Sequence, residues 1–151
     1  MIAPEYLEHL VGQILHHTLQ DRPAVASVLL DVVSDNGDSA DLYGVCCAVA
    51  DTGRVAMQAL YPLAGSDPEW QLPPDAVDRL VGDPHRLFAV RFQTAYLNRD
   101  HAMTTALFQA AEAAGPEDRT ESICALLAHV RVLTLRAEQG PATPDSGGVP
   151  A

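Results

Sequence analysis

The apolar residues of this chain recur with the period of an α-helix, and the pattern is clearest in residues 4–20. Six side chains there fall at the i, i+3, i+4 and i+7 positions that place them on one helix face: Leu7, Leu10, Val11, Ile14, Leu15 and Thr18. Pro4 suits the first turn, because that turn needs no backbone N–H donor. These features predict an amphipathic helix that buries one side.

Comparable stripes, bounded by proline, glycine and aspartate, predict further helices along the chain. They cover approximately residues 24–33, 39–61, 75–81, 84–98, 100–114 and 117–138. In the first of these, Val25, Val28, Leu29 and Val32 have helical spacing, although the β-branched valines would also suit a buried strand. Gly37 favours the helix, because glycine suits the left-handed position at a helix end.

Residues 43–61 are open to two interpretations. Asp38 or Ser39 can cap a helix, and a helical stripe follows them: Leu42, Val45, Cys46 and Val49. The sequence Asp51-Thr52-Gly53, however, also suits the turn of a β-hairpin. We predict the helix, and therefore an all-α fold: a single non-repeat bundle of about six or seven helices. An α+β fold with a hairpin at 43–61 is the alternative.

The domain organisation follows from length and composition. A chain of 151 residues is typical of one domain, and the predicted helices place that domain at residues 1–139. Proline and glycine interrupt residues 62–74, which are predicted to form a loop. Residues 140–151 are rich in proline, glycine and serine and have no apolar stripe, so we expect a disordered tail.

The charge of the chain restricts its partners. The formal net charge is -11, and all nine basic residues are arginine. We therefore expect no nucleic-acid binding and no attachment to an anionic membrane, because both need clustered basic residues. The absence of lysine, together with abundant alanine, indicates a GC-rich bacterial genome. An odd number of cysteines and no signal-like N-terminus predict a reducing, cytoplasmic setting.

The sequence contains no recognisable catalytic or cofactor motif. Cys46 and Cys47 are adjacent, whereas the paired cysteines of a zinc site usually have two to four residues between them. Nucleotide-binding glycine motifs are absent, and a chain without lysine has no Walker loop. We therefore expect neither a metal site nor a cofactor nor catalytic residues, and we interpret Cys46, Cys47 and Cys124 as packed structural cysteines.

Four residues are candidates for a binding site: Trp70, Tyr61, Arg91 and Phe92. Trp70, the only tryptophan, lies in the predicted loop beside the acidic residues Asp67 and Glu69. It is either a lid over the core or an anchor for a partner, since tryptophan is enriched in binding hot spots. Gly12 and Gly44 fall inside predicted helices, where close backbone packing would account for them.

These observations favour a non-catalytic protein-interaction or regulatory module. Its partner would have a basic surface, because acidic rims speed encounter with basic proteins. The alternative is a helical domain that binds a small molecule near Arg91, Phe92 and Trp70. The sequence leaves the oligomeric state open.

Overall fold

The computed structural model describes residues 1–62 and 69–140, and these residues form seven helices and no strand. The helices are α1 (Pro4–Leu19), α2 (Pro23–Asn36), α3 (Ser39–Leu60), α4 (Pro74–Leu80), α5 (Pro84–Leu97), α6 (His101–Ala113) and α7 (Pro116–Glu138). The all-α prediction is confirmed, and the alternative with a hairpin at 43–61 is wrong. The predicted tail lies, after Gly140, outside the described residues, as do positions 63–68 of the predicted loop.

Proline and aspartate set the helix starts as the sequence predicts. Five helices begin with a proline in the first turn: α1, α2, α4, α5 and α7. The other two begin after an aspartate cap, where Asp38 accepts from the backbone N–H of Asp41 and Asp100 from that of Met103. Such caps satisfy backbone donors that a helix leaves free at its N-terminus.

Helix α3 continues through the positions that would have formed the hairpin turn. Its buried side chains keep helical spacing past Gly53, with Ala56 and Leu60 both buried. Gly53 itself is buried, and the side-chain amide of Gln93 on α5 lies directly over it. Glycine at this position therefore admits a neighbouring helix rather than a turn.

The core lies among α3, α5 and α7, and the two most extensive helix contacts are those of α7 with α3 and with α5. Phe92 of α5 and Leu126 of α7 are fully buried there, and Val45 of α3 packs in the same cluster. The α1–α2 hairpin covers one side of this core, and α6 packs against α5 and α7. The short α4 contacts α5.

Helix α2 buries a different face from the one that the sequence brings to notice. Its buried residues are Ala26, Leu30 and Val33. Val25 and Val28, by contrast, are exposed. Leu29 and Val32 of the predicted stripe are partly buried against the core, so the helical spacing identified the type of element and only part of the side that packs.

The glycine prediction requires a correction. A Cβ atom on Gly12 or Gly44 would meet no other atom within 4 Å, so close packing does not explain either glycine. The close approach occurs at Gly53 instead. Within residues 1–62 and 69–140, no helix has the length and apolar character needed to cross a membrane.

Candidate functional site

A groove between α5 and α6 is a concave feature of the surface formed by residues 69–140. Its near lobe, about 580 Å³ in volume, lies between the Trp70–Leu72 segment, the second half of α5 and the start of α6. Its far lobe, about 370 Å³, lies between the first half of α5, the end of α6 and the start of α7. Arg91 and Leu107 line both lobes, so the two lobes adjoin. We call the two lobes together the α5–α6 groove.

Small side chains on α6 create the far lobe. Ala110, Ala111 and Ala114 line it on the α6 side, facing Leu87 and Phe88 of α5. Because alanine has a short side chain, the two helices leave an apolar channel at the surface. The floor of the groove is therefore hydrophobic, with Phe88 and Ala111 belonging to the core cluster.

The near lobe has an aromatic wall. The half-buried Trp70 lines it, and its ring meets that of Tyr61 edge to face, with 5.9 Å between the centroids. Tyr61 follows the end of α3 and is 45% exposed. This edge-to-face arrangement is a favourable geometry for aromatic pairs.

Asn98 holds the backbone of Trp70 in place. Its Oδ1 accepts from the N–H of Trp70 at 2.7 Å, and its Nδ2 donates to the carbonyl of Trp70 at 2.8 Å. The two bonds join residues 28 positions apart in the sequence. They fix the aromatic wall to the C-terminal end of α5.

The structure brings three of the four predicted site residues together and separates the fourth. Trp70 and Arg91 line the same lobe, and Tyr61 supports Trp70 from behind. Phe92 is fully buried among the core residues and does not line the groove, although it follows Arg91 directly in the sequence. Trp70 is neither a fully buried plug nor a fully exposed anchor, because its ring forms a partly accessible wall.

Charged groups are sparse along the groove. Arg91 is exposed and forms no ion pair with any described residue. At the near end, Asp100 caps α6. At the far end, Nε2 of His85 lies 3.0 Å from Oδ1 of Asp118. Among the residues that line the groove, Arg91 is the one arginine, with Asp100 toward one end and the His85–Asp118 pair toward the other.

Two titratable residues beside α5, Asp51 and Tyr96, are not suited to acid–base chemistry at neutral pH. The hydroxyl of Tyr96 donates to Asp51, which also accepts from Arg54 at 2.7 Å. The hydrogen bond from Arg54 holds the pKa of Asp51 below its usual range, and burial raises the pKa of Tyr96 to about 12. The carboxylate stays ionised and the phenol stays protonated, whereas acid–base catalysis needs a pKa near the working pH.

The three cysteines are free thiols. Burial raises the pKa of Cys46, which is fully enclosed, and it also raises the pKa of the half-buried Cys47 and Cys124. Thiols in such surroundings are poor nucleophiles, because the thiolate is the reactive form. Within the part of the chain that the structure describes, no three His, Cys, Asp or Glu residues are grouped so that they could hold a metal ion.

Comparison of the chain with protein-family models, with curated proteins and with solved structures finds no match in any of the three.

Proposed function

We propose that the protein is a non-catalytic interaction module whose α5–α6 groove binds an apolar segment of another protein. The observation that carries this proposal is that the two lobes lie end to end along α5 and share Arg91 and Leu107. Along α5 the groove extends from Pro84 to Asn98, which corresponds to about 21 Å of helix. A helix of four turns has this length, and so does an extended peptide of about six residues.

The lining of the groove specifies the chemistry of the segment. Apolar anchors would occupy the two lobes, as the side chains of an amphipathic helix do in a hydrophobic groove. An acidic side chain between these anchors would pair with Arg91, which has no partner among the described residues. Outside the segment, the net charge of -11 favours a partner with a basic surface, as the acidic residues near Trp70 also suggest.

The free thiols support the cytoplasm as the place of this interaction, because cysteines stay unpaired in reducing compartments. The expectations that the protein binds neither nucleic acid nor an anionic membrane rest on the same acidic charge and belong to the proposal.

A small-molecule ligand is the second candidate, favoured by one observation. The near lobe alone, at about 580 Å³, falls within the usual range of ligand pockets and combines the ring of Trp70 with the guanidinium of Arg91. Such a ligand would carry a carboxylate for Arg91 and an apolar or aromatic body. It would leave the far lobe empty, and this difference separates the two candidates.

The experiment begins with capture of partners from native cell extract on the immobilised full-length chain, followed by mass spectrometry. The affinity of a purified partner is then measured for the chain and for two groove variants. Trp70→Ala removes the wall of the near lobe, and Ala110→Phe fills the far lobe. Ala113→Phe is the matched control, because Ala113 is an exposed alanine of α6 that does not line either lobe.

If the partner is a protein segment that spans the groove, both groove variants should lose affinity for it and the control should not. For Trp70→Ala we expect a loss of about 2 kcal/mol or more, as for a hot-spot residue. If the ligand is a small molecule in the near lobe, only Trp70→Ala should lose affinity for it. If a captured partner binds both groove variants as tightly as the unaltered chain, the groove is not its site and the proposal fails.

Stability measurements separate the anchoring role of Trp70 from a packing role. The fully buried Phe92 provides the reference, since Phe92→Ala should cost about 3–5 kcal/mol of unfolding free energy. Because Trp70 is only half-buried, Trp70→Ala should lower the unfolding free energy clearly less than Phe92→Ala does. An equal cost would mean that Trp70 acts mainly as a plug over the core.

A further inference from the structure

Helix α2 exposes an apolar stripe that its own fold covers only in part. Val28 is 62% exposed and Val25 is 41% exposed, while Leu29 and Val32 are half-buried. Residues 25, 28, 29 and 32 follow the i, i+3, i+4, i+7 spacing of a seam between paired helices. We call these four side chains the α2 stripe.

The α2 stripe borders the face that anchors α2 to the bundle: Leu29 and Val32 pack in part against the core, whereas Val25 and Val28 are exposed. That face consists of Ala26, Leu30 and Val33, all of them buried, and α2 packs mainly against α1. Contacts of α2 with α3 and α7 are few. The bundle therefore does not require the exposed part of Val25 and Val28, and these two valines, one turn apart, leave a small apolar patch on this side of α2.

The order of residues along the stripe suits a second copy of the same chain. In an antiparallel pair of α2 helices with a two-fold axis between positions 28 and 29, Val28 of one copy lies opposite Leu29 of the other. Val25 then lies opposite Val32 of the second copy. A two-fold interface needs a patch that complements itself in this way.

The charges at the two ends of α2 complement each other in the same arrangement. Arg22 precedes the helix, and Asp35 lies in its last turn; both are exposed and neither forms an ion pair with a described residue. Positions 22 and 35 are equidistant from the axis, so Arg22 of each copy is level with Asp35 of the other. A parallel pair would instead set Asp31 and Asp35 beside their own equivalents, which is unfavourable.

We infer that the α2 stripe is the contact of a symmetric antiparallel homodimer. The inference is independent of the α5–α6 groove, because no residue of α2 lines that groove. Both copies would keep their grooves accessible to a partner, so the dimer would present two equal binding sites.

The dimer should be weak. Helix α2 has 14 residues, so its face is about 21 Å long and about 10 Å wide, or roughly 200 Å² in projection. Stable interfaces bury about 800 Å² on each partner. Two copies with a net charge of -11 also repel each other over longer range. Association should therefore appear only as the protein concentration rises.

Sedimentation equilibrium of the full chain, at concentrations up to about 1 mM, tests the dimer. The decisive variant is Val28→Asp, which puts two like charges at the axis and should raise the dissociation constant about tenfold or more. Val55→Asp is the matched control, since Val55 is a 56% exposed valine within α3 and lies outside the stripe. Thermal unfolding of both variants shows whether each remains folded.

A charge exchange tests the antiparallel orientation. Arg22→Asp should weaken the dimer, and the double variant Arg22→Asp/Asp35→Arg should restore it, because the complementary ends are then exchanged. A chain that stays monomeric over the whole concentration range overturns the inference. A dimer that Val28→Asp leaves intact also overturns it. So does the finding that Val28→Asp abolishes the binding of a different protein but does not change self-association. If the double variant fails to recover association, the antiparallel arrangement is wrong.

Discussion

The side-chain amide of Gln93 lies directly over Gly53, at the point where α5 crosses α3. A Cβ atom on Gly53 would come within 2.7 Å of Cδ and 2.9 Å of Nε2 of Gln93. The amide is held there because Nε2 donates to the carbonyl of Ala50 at 2.9 Å, and Gln93 is only 2% exposed. Glycine at position 53 thus allows a buried polar side chain of one helix to bond to the backbone of another.

The substitution Gly53→Ala should therefore destabilise the protein. The added methyl group would displace the Gln93 amide and break a buried hydrogen bond, at a cost of about 1–3 kcal/mol. Gly12→Ala should have the opposite sign and stabilise by about 0.5–1 kcal/mol, because alanine is the better helix former and the space around Gly12 is open. Urea denaturation measures both. Equal effects at the two glycines would contradict the packing role of Gln93.

The sequence contains most of the information about the type and bounds of the helices, but less about which sides face one another. Proline, aspartate caps and helical spacing are local signals, and they predict α1 and α5 nearly to the residue. The role of Gly53 depends on Gln93, 40 positions away, and no local pattern connects the two. The exposed face of α2 shows the same limit, since Val28 and Leu30 are equally apolar and only the neighbouring helices distinguish them.

Asp41 should make stability depend on pH in the acid range. Its Oδ2 accepts from the backbone N–H groups of Ile2 and Asp38, each at 3.0 Å. The hydrogen bond from Ile2 is the largest cause, and that from Asp38 the next, of a pKa for Asp41 that lies below its ordinary value of 3.8. The unfolded chain therefore binds a proton at higher pH than the folded one, so the stabilisation is present above about pH 3.8 and is lost as pH falls toward the lowered pKa.

The variant Asp41→Asn should be less stable than the unaltered protein at pH 7 and should lose less stability on acidification. Urea denaturation between about pH 7 and pH 2.5 measures this difference. Asp78→Asn is the control, because Asp78 is an exposed aspartate of α4 that forms no ion pair with the described residues. An acid profile for Asp41→Asn that parallels that of the control would contradict the role of Asp41 in holding the N-terminal residues.

The thiols should react slowly with maleimides in the native state. Cys46 is fully enclosed in the core, and burial also raises the pKa of Cys47 and Cys124. At pH 7 we expect no labelling of Cys46 on the timescale in which the half-buried pair labels partially, and rapid labelling of all three in denaturant. Mass spectrometry of proteolytic fragments assigns each site. Rapid native labelling of Cys46 would show that the core opens.

The candidate site was only partly accessible from the sequence. Trp70, Tyr61 and Arg91 stand out by residue type, and the structure brings them to one end of the groove. Phe92 follows Arg91 directly but lies in the core, because successive residues of a helix point about 100° apart. The alanines of α6 went unnoticed, since a small side chain shapes a groove only when another helix lies beside it.

Asn98 should determine the position of the aromatic wall. Its two bonds to the Trp70 backbone, at 2.7 and 2.8 Å, cross an exposed part of the surface, where each contributes about 0.5–1.5 kcal/mol. Asn98→Ala should therefore leave the bundle folded, with only a small drop in unfolding free energy, while the Trp70 segment loses its attachment to α5. Because the wall of the near lobe is then no longer held in place, the affinity for any ligand of the groove should also fall.

The fluorescence of Trp70 reports this change directly, because it is the only tryptophan in the chain. In Asn98→Ala we expect emission at longer wavelength and stronger quenching by acrylamide, since the ring becomes more accessible to water. Asn36→Ala is the matched control: Asn36 is also an exposed asparagine at a helix end, and its Nδ2 donates to the carbonyl of Val32 at 2.8 Å. That variant removes an amide far from Trp70 in the sequence and should leave emission and quenching unchanged. If Asn98→Ala also leaves both unchanged, then contact with Tyr61 and the groove holds the ring without the help of Asn98.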